Sequence, residues 1–225
     1  MKRTLAFAVA LAVAATALPA LAADAKASPY AVRGSCADYP KVDLRTPAGW
    51  CVALLADASA GLRFPRRVLE VAPGRYWLVD MGGWDPGRGR LLEFALPTRP
   101  AGPAAPIAFS VLADKLDRPL GLARGPDGKI WVGEAGRISR VGIGASGAPV
   151  KLEPVIEDLA SGGAHPLKEI AFDADGRLYF NLGSMTDACR DDAGKQPLPC
   201  PEIEGPAPRA AVWQATFGPA PAFAL

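Results

Sequence analysis

The chain has 225 residues, with 25 Lys and Arg against 23 Asp and Glu, a single histidine and four cysteines. Two of the basic residues, Lys2 and Arg3, belong to a leader-like start, so the remainder balances at 23 of each sign and lacks the basic stripe that marks a nucleic-acid binder. No later run approaches the roughly 20 apolar residues that a helix needs to cross a bilayer, so no membrane span is expected.

Residues 1–22 read as a secretory signal. Lys2 and Arg3 precede an apolar run from Leu5 to Leu18, and Ala20-Leu21-Ala22 supplies the small-residue cleavage pattern. Ala23-Asp24 follows, where a lipoprotein would carry a cysteine. The expected destination is the periplasm of a Gram-negative cell, or secretion. Residues 23–50 form an N-terminal extension containing Cys36, and residues 51–225 form the main body.

Cys36 and Cys51 stand near the start of that mature chain, and Cys189 and Cys200 near its end. In an oxidising compartment the expected pairing is Cys36–Cys51 and Cys189–Cys200, each closing a short loop. A four-thiolate metal site fits less well, because there is no C-x-x-C pair and only one histidine. The lack of C-x-x-C-H also argues against covalent haem.

Three segments repeat: Phe64 to Asp80, Arg118 to Gly133 and His165 to Phe180. Each starts at a residue before proline, runs through a short apolar stretch, turns at Pro-Gly or Asp-Gly, and resumes with a basic residue and an aromatic-aliphatic strand. The turn glycines, Gly74, Gly128 and Gly176, can adopt the positive φ that tight hairpins require. Their spacings of 54 and 48 residues are close to the period of propeller blades. Further strands are expected at Arg90–Leu96, Arg137–Gly142 and Ala211–Phe217, giving roughly four per repeat. With 24 glycines and 23 prolines, helix is expected to be scarce. The fold class is therefore all-β, an incomplete β-propeller with about three blades, a β-sandwich being the alternative.

Closed propellers use about 4–8 blades, and Gly205–Leu225 offers at most one strand. Two routes complete a ring: several copies associating through the open blade edge, or a longer protein of which this is the front part. Truncation is the favoured expectation. An uncovered edge of that kind is an aggregation hazard.

Two motifs are set aside. Gly142-Ile143-Gly144-Ala145-Ser146-Gly147 matches a dinucleotide-binding pattern, but Pro149 and Pro154 prevent the helix that must follow it, so an inter-strand loop is expected. Asp173-Ala174-Asp175-Gly176 begins like a calcium loop yet lacks the closing glutamate, so a hairpin turn is expected. His165 remains as the candidate acid/base. If Leu167–Phe172 is an innermost strand, His165 stands at the channel mouth, introduced by Ser161-Gly162-Gly163. An unperturbed imidazole, titrating at about 6.5, suits proton abstraction near neutral pH.

The blocks Phe64–Trp84, Leu116–Val132 and His165–Ser184, the last with Asp-Gly followed by Arg-Leu-Tyr-Phe-Asn-Leu-Gly-Ser, resemble the soluble glucose/sorbosone dehydrogenase family. These are six-bladed propellers that use pyrroloquinoline quinone (PQQ). The resemblance covers residues 50–200 approximately. It implies PQQ and calcium as cofactors, and oxidation of an aldose hydroxyl to a lactone, with His165 as base and the hydride passing to the quinone. The electron acceptor beyond the quinone is unspecified. Where the family places an aspartate to orient the histidine, this chain has Ser184. Where it places a cofactor-facing glutamine, this chain has Leu120. The family's Arg-Asn pair, calcium ligands and quinone-binding cations belong to later blades. The competing expectation is a non-catalytic exported propeller that binds carbohydrate or a protein partner, with Trp50, Trp77, Trp84, Trp131 and Trp213 as candidate stacking platforms.

Overall fold

Strand pairing in the computed structural model, which describes residues 30–96, 106–190, 193–206, 208–217 and 223–224, organises the chain into four antiparallel sheets. The expected signal at residues 1–22 lies outside the described residues. Strands β1 (Val32–Cys36), β2 (Tyr39–Val42) and β3 (Val52–Ala53) make a small sheet that runs across residue 50. Its ends are held together by the Cys36–Cys51 disulfide.

Three four-stranded sheets follow. The first contains β4 (Pro65–Ala72), β5 (Arg75–Asp80), β6 (Gly89–Ala95) and β7 (Ser110–Leu116) in that order. The second contains β8 (Gly121–Arg124), β9 (Ile130–Gly133), β10 (Ile138–Val141) and β11 (Glu153–Ile156). The third contains β12 (Ile170–Phe172), β13 (Leu178–Leu182), β14 (Ala211–Phe217) and β15 (Phe223–Ala224). The leading strands β4, β8 and β12 lie side by side, β4 against β8 and β8 against β12, so the sheets stack as successive blades. The three hairpins turn at the expected glycines, each with positive φ.

Alternation along the second strand of each blade explains the stacking. A strand buried on both faces sends successive side chains to opposite neighbours. In β5, Trp77 and Val79 pack toward the second blade with Leu122, Ile130 and Val132. Leu78 and Tyr76 pack the other way, on Tyr39, Ala53 and Leu62 of the N-terminal segment. In β9, Trp131 points instead to the third blade, against Ile170, Leu178 and Phe180. Trp77 and Trp131 are almost wholly buried, and an aromatic side chain of this kind contributes about 4–6 kcal/mol of gross burial.

Gly121 and Gly133 face each other across β8 and β9. A Cβ on either would stand 2.7 and 2.5 Å from the Lys168 carbonyl oxygen. Their bareness admits the third blade to direct backbone contact, with Gly121 N–H donating to Lys168 O at 2.9 Å.

Helix is confined, among the described residues, to a 3-10 turn at Ala58–Ala60 and one α turn at Pro201–Glu204. None is long and apolar enough to cross a membrane. The segment Gly205–Leu225 was expected to hold at most one strand and carries two, because Thr216 and Phe217 of β14 pair onward with β15. The Gly142–Gly147 segment lies in the loop between β10 and β11, with no helix after it, as expected from Pro149 and Pro154. Its Gly147 N–H and Ser146 hydroxyl donate to Glu93 Oε1 of the first blade at 2.8 and 2.6 Å. Asp173 caps its own hairpin, accepting from the N–H groups of Asp175 and Arg177.

Candidate functional site

Antiparallel order places the connector into each blade and the loop after its second strand at the same end of the molecule. A polar residue at the end of each second strand fastens the two. Buried Asp80 accepts from Phe64 N–H at 2.6 Å and pairs with Arg90. Buried Glu134 accepts from Asp117 N–H at 2.8 Å and pairs with Arg137 at 2.6 Å. In the third blade a neutral residue, Asn181, accepts from Glu169 N–H at 2.6 Å and donates to Leu167 O at 2.9 Å.

His165 lies at this end, in the connector from β11 to β12. Its Nε2 is 2.7 Å from Asp187 Oδ1. A carboxylate can only accept, so in the neutral imidazole the proton sits on Nε2 and Nδ1 keeps the free lone pair. The side chains are 51 % and 84 % exposed, so the contact orients the ring and adds little stability. The partner of the imidazole is thus Asp187, three residues beyond Ser184. Ser184 lies on the wall of a neighbouring cavity.

That cavity, of about 420 Å³, lies between the Ser184–Cys189 and Gln196–Ile203 segments, beside the Cys189–Cys200 disulfide. Both expected disulfides are formed and no free cysteine occurs among the described residues, which suits an oxidising compartment. The volume falls in the range of small-ligand sites. Glu202 braces its floor, accepting from Met185 N–H at 2.6 Å and from the Thr186 hydroxyl at 2.5 Å. Thr186 holds this carboxyl below the ordinary carboxylate range. His165 and Asp187 are not part of the cavity lining.

Lys168 and Arg209 hold the loop that carries His165. Lys168 is 0 % exposed. Its Nζ donates to Ala160 O at 3.0 Å and to Pro166 O at 2.6 Å. Arg209 donates to Gly162 O and Gly183 O, at 2.8 and 3.0 Å. Neither residue stood out in the sequence. A signal was present for Lys168: the third repeat has one more residue between its proline and its turn glycine than the second, and a lysine sits beside that extra position.

Burial, with the like charges of Arg209 and Arg118, lowers the Lys168 ammonium from 10.5 to about 8, and Asp117 opposes the shift. Below pH 8 both folded and unfolded chains hold this proton, and the folded state bears the whole cost of the buried charge. Between pH 8 and 10.5 only the folded chain releases it, so stability is expected to rise with pH, by at most about 3 kcal/mol. Urea denaturation of the wild type and of Lys168→Met across this interval checks the sign; an equal pH slope in both would refute the assignment. Tyr76, whose phenol is pushed above 10 by burial and by Glu70, acts in the opposite sense only at the alkaline end.

Four cations near this rim are engaged with protein groups. Arg67 lies 3.6 Å from Glu169, Arg118 2.7 Å from Asp117, and Lys168 and Arg209 hold carbonyls. No group of three or more His, Cys, Asp or Glu suited to a metal occurs among the described residues. The described residues thus present no cluster of acidic, histidine or cysteine ligands for the calcium that accompanies such a quinone. Leu120, at the position of the family's glutamine, is half-buried and apolar.

No protein-family model matches the chain, and no curated protein does. Solved structures with partial similarity include a Trichoderma reesei carbohydrate-active enzyme of family AA12, at 20% identity and TM-score 0.43, over 59% of this chain and 32% of that one. The holo PQQ domain of pyranose dehydrogenase from Coprinopsis cinerea matches at 16% identity and TM-score 0.44, over 59% and 30%. A gluconolactonase from Xanthomonas campestris matches at 21% identity and TM-score 0.40, over 66% and 50%. The chain spans about a third of the length of the first two and half of the third.

Proposed function

We propose that this chain is a sugar-processing propeller protein of the quinoprotein oxidoreductase type, in which His165 is the base for an aldose hydroxyl. The observation that carries the reading is the 2.7 Å contact between His165 Nε2 and Asp187. It leaves Nδ1 free to take the hydroxyl proton: the O–H bond breaks, the proton moves to Nδ1, and Asp187 stabilises the imidazolium that forms. Oxidation to the lactone also requires a two-electron acceptor. The family resemblance makes this PQQ with calcium, and this chain's own residues supply the proton transfer.

The test is a titration of the disulfide-formed protein with PQQ and calcium, followed by dye reduction with a panel of aldoses. Saturable quinone binding with aldose-dependent reduction is the expected result. A folded chain that binds neither quinone nor aldose would exclude the oxidoreductase reading.

One observation favours a second reading, a carbohydrate-binding module without catalysis. Trp77 and Trp131 are core residues, but Trp84 is 55 % exposed, on the loop between β5 and β6. Arg66 lies over both the Trp84 ring and the Phe64 ring, 5.8 and 5.9 Å from their centroids. An exposed indole beside an arginine can stack on the apolar face of a sugar while the guanidinium meets its hydroxyls. Aldose binding by the wild type without any turnover, weakened in Trp84→Ala, would select this reading.

A further inference from the structure

Residues 157–169 join β11 to β12 and carry His165. The backbone is fixed on both sides of the histidine. Ala164 N–H donates to Met185 O at 2.7 Å, and Arg209 bridges Gly162 O to Gly183 O. The remaining carbonyls that bracket the histidine, Ala160 O and Pro166 O, converge on Lys168 Nζ.

A wholly buried lysine is an expensive way to fill space. Leucine or methionine would occupy a similar volume with no charge to desolvate. What the ammonium adds is reach: one point charge that draws together carbonyls six residues apart, with His165 between them. We propose that Lys168 is a positioning residue for His165, its ammonium closing the loop so that the imidazole is held against Asp187. The proposal gives the base of the previous section a backbone support in addition to its carboxylate, and only its functional meaning rests on that reading.

The charged groups that face Lys168 are Arg209 and Arg118, of like sign, and Asp117, of opposite sign. With burial they bring its proton loss to about 8, within reach of an ordinary titration. When the proton leaves, both bonds to the loop lose their charge assistance, and the position of the imidazole should respond.

His165 is the only histidine in the chain, so in uniformly labelled protein its ring signals are single and need no assignment by mutation. A titration of the full chain from about pH 6 to pH 10 by heteronuclear NMR tests the proposal without relying on turnover. Besides the imidazole's own titration, the wild type is expected to show a second inflection at about pH 8. Lys168→Arg, charged throughout this range, should keep the wild-type shifts seen below that point and lose the second inflection. Lys168→Met should lose the inflection and also depart from wild-type shifts at every pH. A wild-type curve without a second inflection between about pH 7 and pH 10 would overturn the proposal, as would an inflection that survives in Lys168→Arg. If Lys168→Met does not fold, the wild-type and arginine curves still decide. A protein that passes this test yet fails to bind sugar or quinone would leave the positioning role standing and remove the catalytic reading.

Discussion

His165→Ala is expected to lower aldose-dependent turnover by about 10²–10⁴-fold, the usual contribution of a positioned general base, while leaving the thermal midpoint close to that of the wild type. The two halves of the expectation have different sources. The imidazole is half in solvent and its bond to Asp187 is exposed, so removing it opens no cavity and strands no buried group. The loss of rate follows from removing the free Nδ1 lone pair. Asp187→Asn separates orientation from charge. An amide can offer its nitrogen to the ring and favour the tautomer with the proton on Nδ1, which blocks the base; a substantial loss with the imidazole still present is the expected outcome. Steady-state dye reduction of both variants, with a thermal melt of each, makes the comparison. Turnover within a few-fold of wild type in His165→Ala would remove the histidine from the chemistry.

The largest expected effect on stability belongs to Glu93→Ala, a loss of about 3–5 kcal/mol in urea denaturation. Glu93 is 4 % exposed and gathers donors from both of the first two blades. Arg75 Nε and Trp77 Nε1 of the first blade donate to Oε2 at 2.6 and 2.7 Å, and Ser146 and Gly147 of the second donate to Oε1. Burial alone would raise its carboxyl, but the bonds from Ser146, Trp77, Gly147 and Arg75 outweigh this and hold it below its ordinary value. A depressed carboxyl stabilises the fold above its unfolded pKa, and that contribution is lost as pH falls through the folded value. Alanine leaves the Arg75 guanidinium and the Trp77 N–H without their acceptor inside the seam between blades. A loss under about 1 kcal/mol would mean that water replaces the carboxylate freely and that apolar contact and the remaining hydrogen bonds between the blades suffice to join them.

The blades were legible because their signals are local. Gly74, Gly128 and Gly176 needed only the residues beside them to declare a hairpin, and the aromatic-aliphatic runs after them alternate in the manner of strands buried on both faces. The cysteine pairs were legible for the same reason, since each closes a short loop. The small N-terminal sheet was not foreseen as a sheet: Val32–Cys36 and Tyr39–Val42 are short and carry charged and proline residues, and packing with Leu78 and Leu92 of the first blade gives Tyr39 its place. At the candidate site the histidine was legible and its surroundings were not. Asp187 reaches the ring through the path of the loop between β13 and β14, whose course is set by the Cys189–Cys200 bridge and by Glu202. No periodicity encodes such a course. Lys168 was hidden by the opposite problem, because a lysine in a strand-like run reads as a solvated residue until the carbonyls around it are seen.

The two disulfides carry a consequence for biosynthesis. Cys36 and Cys51 are separated by 15 residues and Cys189 and Cys200 by 11, whereas about 140 residues lie between the pairs. A chain delivered N-terminus first to an oxidising compartment presents the first pair before either member of the second. Oxidation in order of appearance gives the native connectivity, and each bond links cysteines already close along the chain. The protein is therefore expected to acquire its covalent framework by successive local closures, with little demand on an isomerase to correct mispaired thiols.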